Sequence, residues 1–174
     1  TISSTGVFTQ SGAGANSLGG NISVTGTGNA LSFATAITLT DNVTLTTTNG
    51  AVSFAEVIDT ATSSVARNLT VTAGSGGVTF TKAVGATKAL AAVTVNSTGL
   101  TKFGNSVSAA SVTTNAGGAV ELNGNVTTSG AQTYTSNVVL TSDVTLSGAN
   151  IQIQGNVDSK ASTHKSLSII ATDF

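Results

Sequence analysis

Side chains able to carry acid–base chemistry are few in this sequence, and they are far apart. Cleavage of a glycosidic bond needs a general acid and a general base held close together. Glu56 and Asp59 form the only close pair of acidic residues, and their odd spacing would place them on opposite faces of a strand or around a turn. We therefore expect solvent-exposed charges and a chain that is not an enzyme. The acidic residues are Asp41, Glu56, Asp59, Glu121, Asp143, Asp158 and Asp173.

Metal and cofactor sites are not expected either. His164, the single histidine, stands in the polar segment "SKASTHKS" near Lys160 and Lys165, with too few ligands around it for a metal. Cysteine is absent. The Gly-rich segments at 74–77 and 115–118 lack the acidic residues that Ca²⁺ needs, and no helix follows them to bind a phosphate. The sequence thus predicts no catalytic, cofactor-binding or metal-binding residue.

Threonine is the functional group present in quantity. Stacked Thr-x-Thr strands can form an ice-binding face, and the segments at 38–40, 44–46 and 70–72 read "TLT", "TLT" and "TVT". The matching segments elsewhere read "VTVN", "SVTT" and "SLSII", so we expect this ladder to be broken. Carbohydrate binding usually needs exposed aromatic side chains, and Tyr134 is the only tyrosine. A Thr-rich face for ice or glycan remains the alternative function.

The low charge restricts the partners of the chain. Charged residues make up 7% of the sequence, against about 25% in an ordinary domain. A net charge of −1 disfavours nucleic acid, which needs a basic surface. No apolar run approaches the roughly 20 residues of a membrane helix, so we expect no membrane insertion. Methionine is absent, from which we expect a processed form or a piece of a longer protein.

The elements that position these side chains are strands. Apolar and polar residues alternate with a period of two in segments such as "NLTVTA" (68–73) and "AVTVNS" (92–97), which is typical of half-buried strands. Gly and Asn cluster between these runs, as expected for tight turns. The short segment "GATKALAAV" (85–93) is interpreted as a loop insertion. The N-x-S/T sequences are interpreted as turn asparagines before strands, at Asn21, Asn42, Asn68, Asn96 and Asn125.

An internal repeat indicates how these strands are arranged. A motif of a small residue, apolar–x–apolar, and then Val or Ile begins at residues 30, 51, 77, 99, 119 and 150, in steps of 21, 26, 22, 20 and 31 residues. Short strands repeating at this period favour a β-solenoid, and the longest step has room for an extra partial turn. A Greek-key sandwich is the rival, but it does not explain why one motif recurs in order.

Two segments carry a resemblance to a known family. "NLTVTAGSGGVTFTKAVGATKALAAVTVNS" (68–97) and "VTTSGAQTYTSNVVLTSDVTLSG" (126–148) resemble the repeats of giant secreted bacterial surface proteins of the filamentous haemagglutinin type. The likeness covers about residues 30–170 and implies an all-β, right-handed parallel β-helix of irregular coils. The secretion domain typical of the family is not recognisable in residues 1–29.

The resemblance also implies a function. We expect a non-catalytic rod module of an extracellular bacterial adhesin or self-assembling filament at the cell surface. The expected partners are neighbouring solenoid coils or identical subunits stacked end to end, together with host-cell or surface glycans. No amphipathic helix or charged run guards either terminus, and unblocked strand edges tend to pair further.

The repeat predicts both the domain organisation and the core. Residues 1–29 are expected to be an N-terminal segment that acts as an edge or inter-subunit strand, and residues 30–174 to be the solenoid. Side chains at equivalent places in the repeat should point inward and stack coil on coil. These predicted core residues are Phe33, Phe54, Val78, Phe80, Leu100, Val120, Leu122, Ile151 and Ile153.

Overall fold

The chain winds into a parallel β-solenoid. The computed structural model describes residues 1–62, 65–115, 117–162 and 164–172. Every regular element in these residues is a strand, and the strands stack in parallel through about eight coils. The prediction of an all-β solenoid from the repeat is therefore confirmed.

Each coil contributes one strand position to each of three faces. The first face contains β1 (Ile2–Ser4), β4 (Ile22–Val24), β7 (Val43–Thr47), β10 (Leu69–Gly74), β12 (Leu90–Ser97), β14 (Val107–Thr114), β17 (Gln132–Tyr134) and β20 (Ile151–Ile153). The second face contains β2 (Phe8–Gln10), β5 (Leu31–Phe33), β8 (Val52–Phe54), β11 (Val78–Phe80), β13 (Thr101–Phe103), β15 (Ala119–Leu122), β18 (Asn137–Leu140) and β21 (Val157–Ser159). The third face contains β3 (Asn16–Leu18), β6 (Ile37–Leu39), β9 (Ile58–Thr60), β16 (Val126–Thr128), β19 (Val144–Gly148) and β22 (Leu167–Ala171).

Two long strands join the first and third faces. β14 begins on the third face, where Val107 pairs with Val126, and ends on the first face, where Val112 pairs with Gln132. β12 pairs with β14 around the same corner. In the fourth coil the third face is reduced to Val84, which bridges Ile58 and Val107. The three faces therefore enclose one continuous interior.

The same sheets extend through residues 1–29. β1 pairs with β4, β2 with β5 and β3 with β6, all in parallel. The stacking thus runs without interruption across the boundary at residue 30 that the sequence suggested.

A stack of aromatic rings forms the centre of the core. Phe33, Phe54, Phe80 and Phe103 occupy one inward position on successive strands of the second face, and we call them the phenylalanine stack. Their neighbouring ring centroids are 5.5, 4.9 and 5.1 Å apart, and the ring planes are parallel within 5°. Aromatic pairs at such separations stabilise a core beyond the area they bury, by about 0.5–1.5 kcal/mol per pair.

Most of the predicted core is confirmed, but the prediction that Leu100 is buried is wrong. Leu100 is 44% exposed, whereas Thr101 and Phe103 are buried. Pairing of Phe103 with Phe80 sets the register of β13, so that Thr101 pairs with Val78 and points inward. Leu100 lies one residue earlier, at the corner. The confirmed core residues are Phe33, Phe54, Val78, Phe80, Val120 and Leu122.

The last copy of the repeat was also misplaced. Ile151 and Ile153 lie on the first face, paired with Gln132 and Tyr134, and not on the second face with the phenylalanine stack. Both are only partly buried, because the eighth coil is covered on one side alone. The long step before them contains one ordinary coil and two further strands, β18 and β19, which confirms the extra partial turn that the sequence suggested.

Glycines at one corner permit the coils to approach each other. A Cβ atom at Gly76 would overlap the carbonyl of Gly50 in the coil before it, and a Cβ atom at Gly118 would overlap that of Gly99. Neither Gly76 nor Gly118 has a positive φ. Close backbone contact, and not left-handed conformation, therefore requires glycine at these two positions.

Two predicted loop assignments are only partly right. Residues 85–89 form a loop, but β12 already begins at Leu90, so the insertion is shorter than residues 85–93. Four of the N-x-S/T asparagines directly precede a strand, as predicted, whereas Asn96 lies inside β12. Three of the four accept a backbone N–H from the next coil through their side-chain oxygen: Asn21 from Thr44, Asn42 from Asn68 and Asn125 from Thr145.

The phenylalanine stack supplies a test of the core. Phe80→Ala should reduce the free energy of unfolding by about 3–5 kcal/mol, because it leaves a cavity between two rings. Thr79→Ala, on the adjacent outward position, should cost less than about 1 kcal/mol. Denaturant unfolding followed by circular dichroism measures both. Equal costs for the two variants would contradict the assignment of Phe80 to a close-packed stack.

Candidate functional site

The acidic residues do not assemble into a catalytic cluster in the described part of the chain. Glu56 lies at the corner between β8 and β9, whereas Asp59 lies within β9. Glu121 is on β15 of the second face, and Asp158 is on β21 two coils further along. No group of three or more metal-ligating side chains occurs among the described residues, and Asp173 lies outside them.

Three of the carboxylates contact groups in other coils instead. Asp59 accepts hydrogen bonds from the backbone N–H groups of Thr87 and Lys88, at 2.9 and 3.2 Å, and so holds the loop before β12. Asp41 forms an ion pair with Arg67 at 3.4 Å. Glu121 forms another with Lys160, also at 3.4 Å. These contacts connect coils, and they give the carboxylates a structural role.

Asp143 is the carboxylate with the clearest electrostatic perturbation. Its Oδ1 accepts a 2.9 Å hydrogen bond from the backbone N–H of Ser166. This hydrogen bond lowers the pKa of the exposed Asp143 carboxyl, with smaller contributions from the Ser166 side chain and the charge of Lys165. The effect favours the ionised carboxylate at neutral pH, and an ionised carboxylate has no proton to donate as a general acid.

Among the described residues, neither His164 nor the groove beside Leu90 brings ionisable side chains together. His164 is exposed in the loop between β21 and β22. A shallow groove of about 460 Å³ lies at the corner between the third and first faces, with Leu90, Ala109 and Thr127 in its wall. No ionisable side chain lines it. The hydroxyl groups of Ser108 and Thr127 in this groove therefore have no acid–base partner among its lining residues.

One buried polar cluster was not anticipated from the sequence. Gln132 and Tyr134 are fully buried on β17, where the preceding coil has Val112 and Thr114. The Tyr134 hydroxyl donates to Gln132 Oε1 at 3.0 Å. Gln132 Nε2 donates to the carbonyl oxygens of Val126 and Ser147, at 3.1 and 2.8 Å. The cluster is enclosed and satisfied, and so it serves the core rather than a ligand.

The position of Tyr134 bears on carbohydrate binding. The ring is completely buried, and burial raises the pKa of its phenol far above the ordinary value. It cannot stack on a sugar from this position. A signal for its burial was present in the sequence, since Gln132 and Tyr134 alternate with outward Thr133 in strand spacing.

The outward side of the first face carries the most regular feature of the surface. Strand register brings one threonine from each of five successive coils into a single row, which we call the threonine column. The Thr-x-Thr ladder does break as predicted, because Asn96 pairs with Thr72 at its second position, but the first position remains threonine throughout this row. The "TLT" at 38–40 lies on the third face. The threonine column consists of Thr44, Thr70, Thr94, Thr113 and Thr133.

Comparison with known proteins returns no relative. No family model matches the chain, and no curated protein and no solved structure matches it. Within the described residues, no helix has the length and apolar character to cross a membrane.

The buried tyrosine predicts an alkaline limit to stability. Because the folded-state pKa of Tyr134 is raised, its contribution is complete below the unfolded-state pKa of about 10 and is lost as the pH rises above it. Unfolding free energies measured from pH 8 to pH 11 should therefore fall more steeply for the native chain than for Tyr134→Phe.

Tyr134→Phe provides its own structural control at neutral pH. It should cost about 1–3 kcal/mol at pH 7, because Gln132 Oε1 loses its donor. Tyrosinate absorbance of the native chain should appear only together with unfolding. Ionisation of the folded protein near pH 10 would contradict the burial of the phenol.

Proposed function

We propose that this chain is a non-catalytic structural rod module of an extracellular bacterial adhesin or self-assembling surface filament. The observation that carries the proposal is the continuous stack of coils around one core. With about eight coils at about 4.8 Å each, the rod is about 40 Å long. The sequence pattern of the repeats resembles that of secreted surface proteins, and this resemblance supports a location outside the cell.

The dispersion of the ionisable groups supports a mechanical role. The carboxylates Asp41, Asp59 and Glu121 each contact a group in another coil. Such contacts reinforce stacking and leave no carboxylate pair aimed at a common substrate. A rod of this kind works by its length, its stiffness and the surfaces it presents.

The ends of the rod support association by stacking. At one end Ile2 is 46% exposed, and at the other Ile169 is 52% exposed, although each pairs with a buried inward residue of the adjacent coil. β1, β2 and β3 each pair with a strand on one side only, as do β20, β21 and β22. Unpaired parallel edges with apolar side chains bind further strands of the same kind. We propose that they stack on neighbouring coils or on an identical subunit.

Solution mass tests this association. The native chain should form oligomers or fibres whose mean mass rises with concentration in light scattering. Ile169→Lys should weaken the association. The Ile169 side chain points inward on β22, which is an unpaired edge strand, so the lysine would place a charge in the interior of the exposed end coil. Ser168→Lys is the matched control, since Ser168 pairs with Thr145 on the outward side.

Two results would overturn the proposal. One is a native chain that stays monomeric at every concentration reached, with the same mean mass in light scattering as Ile169→Lys. The other concerns location: antibodies against the chain should label intact cells, and labelling that requires permeabilised cells would contradict a surface protein.

A further inference from the structure

The threonine column is an uninterrupted array over five coils. Thr70 pairs with Thr44 on one side and with Thr94 on the other. Thr94 pairs with Thr113, which pairs with Thr133. Adjacent members are therefore one strand spacing apart, about 4.8 Å, and the array extends about 19 Å along the rod.

A second polar row runs parallel to the threonine column. Thr46 pairs with Thr72, and Thr72 with Asn96. The Asn115 side chain continues the row by donating a hydrogen bond to Asn96 Oδ1. The two rows are two residues apart along each strand, or about 6.6 Å. Together they form a two-dimensional lattice of small polar groups on the first face.

The lattice has a rigid backing. Between the two rows, Leu45, Val71 and Val95 point inward and are no more than 1% exposed. Threonine is branched at Cβ, so few rotamers are open to it on a strand. The side chains of this face are thus held in place before any ligand arrives, which reduces the entropy lost on binding.

The hydroxyl groups of the threonine column are free to bind something outside the chain. All five residues are half-buried, and none of their hydroxyls has a hydrogen-bond partner among the described residues. This differs from the second row, where Thr72 Oγ1 accepts from Asn96 at 3.4 Å. The column therefore presents a methyl group and an unused hydroxyl at each repeat.

The chemistry of the face restricts the ligand. No strand of the first face contains a charged residue, so nucleic acids and ionic polymers have no counter-charge there. Its single aromatic residue, Tyr134, is buried and unavailable for stacking on a sugar ring. These features favour a neutral ligand, and the even spacing of the threonine column matches one that itself repeats.

We propose that the first face binds the surface of ice through the threonine column. Ordered water on the surface of an ice crystal is neutral and periodic. It can form hydrogen bonds with the threonine hydroxyls and pack against their methyl groups. Five aligned threonines can order water at their own spacing without first rearranging. This inference goes beyond the rod function and does not depend on end-to-end stacking.

Ice affinity of matched variants tests the proposal. Fluorescently labelled native chain should be incorporated into a growing ice hemisphere and should inhibit ice recrystallisation. Thr94→Tyr and Thr113→Tyr each raise a ring above the middle of the array, and each should reduce incorporation more than about tenfold. Thr79→Tyr, the same change on the outward side of the second face, should leave it unchanged.

Further measurements separate this proposal from its competitors. Circular dichroism should show that all three variants are folded, and Ile169→Lys should retain ice binding because the stacking edge lies elsewhere. Exclusion of the folded native chain from ice would overturn the proposal, and so would equal loss in Thr79→Tyr. Binding to insoluble cellulose or chitin, or dimerisation that Thr94→Tyr abolishes, without ice incorporation would also overturn it.

Discussion

The hydrogen-bonded register between successive coils is the constraint on which the rest of the molecule depends. The backbone N–H of Leu31 donates to the carbonyl oxygen of Ala51 at 2.9 Å, and that of Val78 donates to the carbonyl oxygen of Leu100 at 2.8 Å. In both cases the acceptor lies one coil further along the rod. Because all the strands are parallel, residues at the same position of successive coils lie about 4.8 Å apart. A side chain must therefore suit a close neighbour of its own kind. Rings that stack, hydroxyls and glycine meet this condition, and like charges do not.

The distribution of charge follows from this condition. Lys102 and Glu121 are direct neighbours on the outward side of the second face, and they have opposite charges. Both ion pairs in the described residues also join different coils, Asp41 with Arg67 and Glu121 with Lys160. An exposed ion pair of this kind contributes little to stability, about 0–1 kcal/mol. The arrangement mainly avoids repulsion between like charges in successive coils. This avoidance explains the low charge content better than stabilisation by ion pairs does.

The fold could be predicted from the sequence because the pattern that indicates it is repeated many times along the chain. Alternation of apolar and polar residues recurs in every coil, and the repeat of the phenylalanine stack fixes the period. Register could not be predicted at irregular coils. In "GLTKF" the more hydrophobic Leu100 was expected inside, but the pairing of Phe103 with Phe80 places Thr101 there. The chain advances seven residues from Val71 to Val78 but only six from Val95 to Thr101, although both pairs are in register. A one-residue shift reverses every side chain of a strand, so local hydrophobicity is a weak guide where a corner is one residue shorter.

The candidate surface was harder to predict than the core, for a related reason. In "SVTT" the sequence does not reveal which of Thr113 and Thr114 faces outward, and only the pairing of Thr113 with Thr94 and Thr133 resolves it. The predicted absence of catalytic residues remains a prediction, since dispersed carboxylates are an observation about position and not about activity. The buried pair Gln132 and Tyr134 was missed because polar residues at inward positions contradict the pattern used to find the core.

The interior and the exterior of the first face vary independently, and the difference is informative. Inward, one row changes along the rod from Leu45, Val71 and Val95 to Thr114 and Tyr134, and each change is accommodated locally. Outward, the neighbouring row remains threonine over the same coils. The fold does not require this uniformity, because the outward row of the second face changes freely from Thr79 to Lys102, Glu121 and Val139. Threonine also occupies outward positions on the other faces, such as Thr38 and Thr79, so its preference for strands accounts for single sites but not for an unbroken row of five. The regularity of this row is therefore the feature that supports the proposed contact of the first face with a ligand that itself repeats.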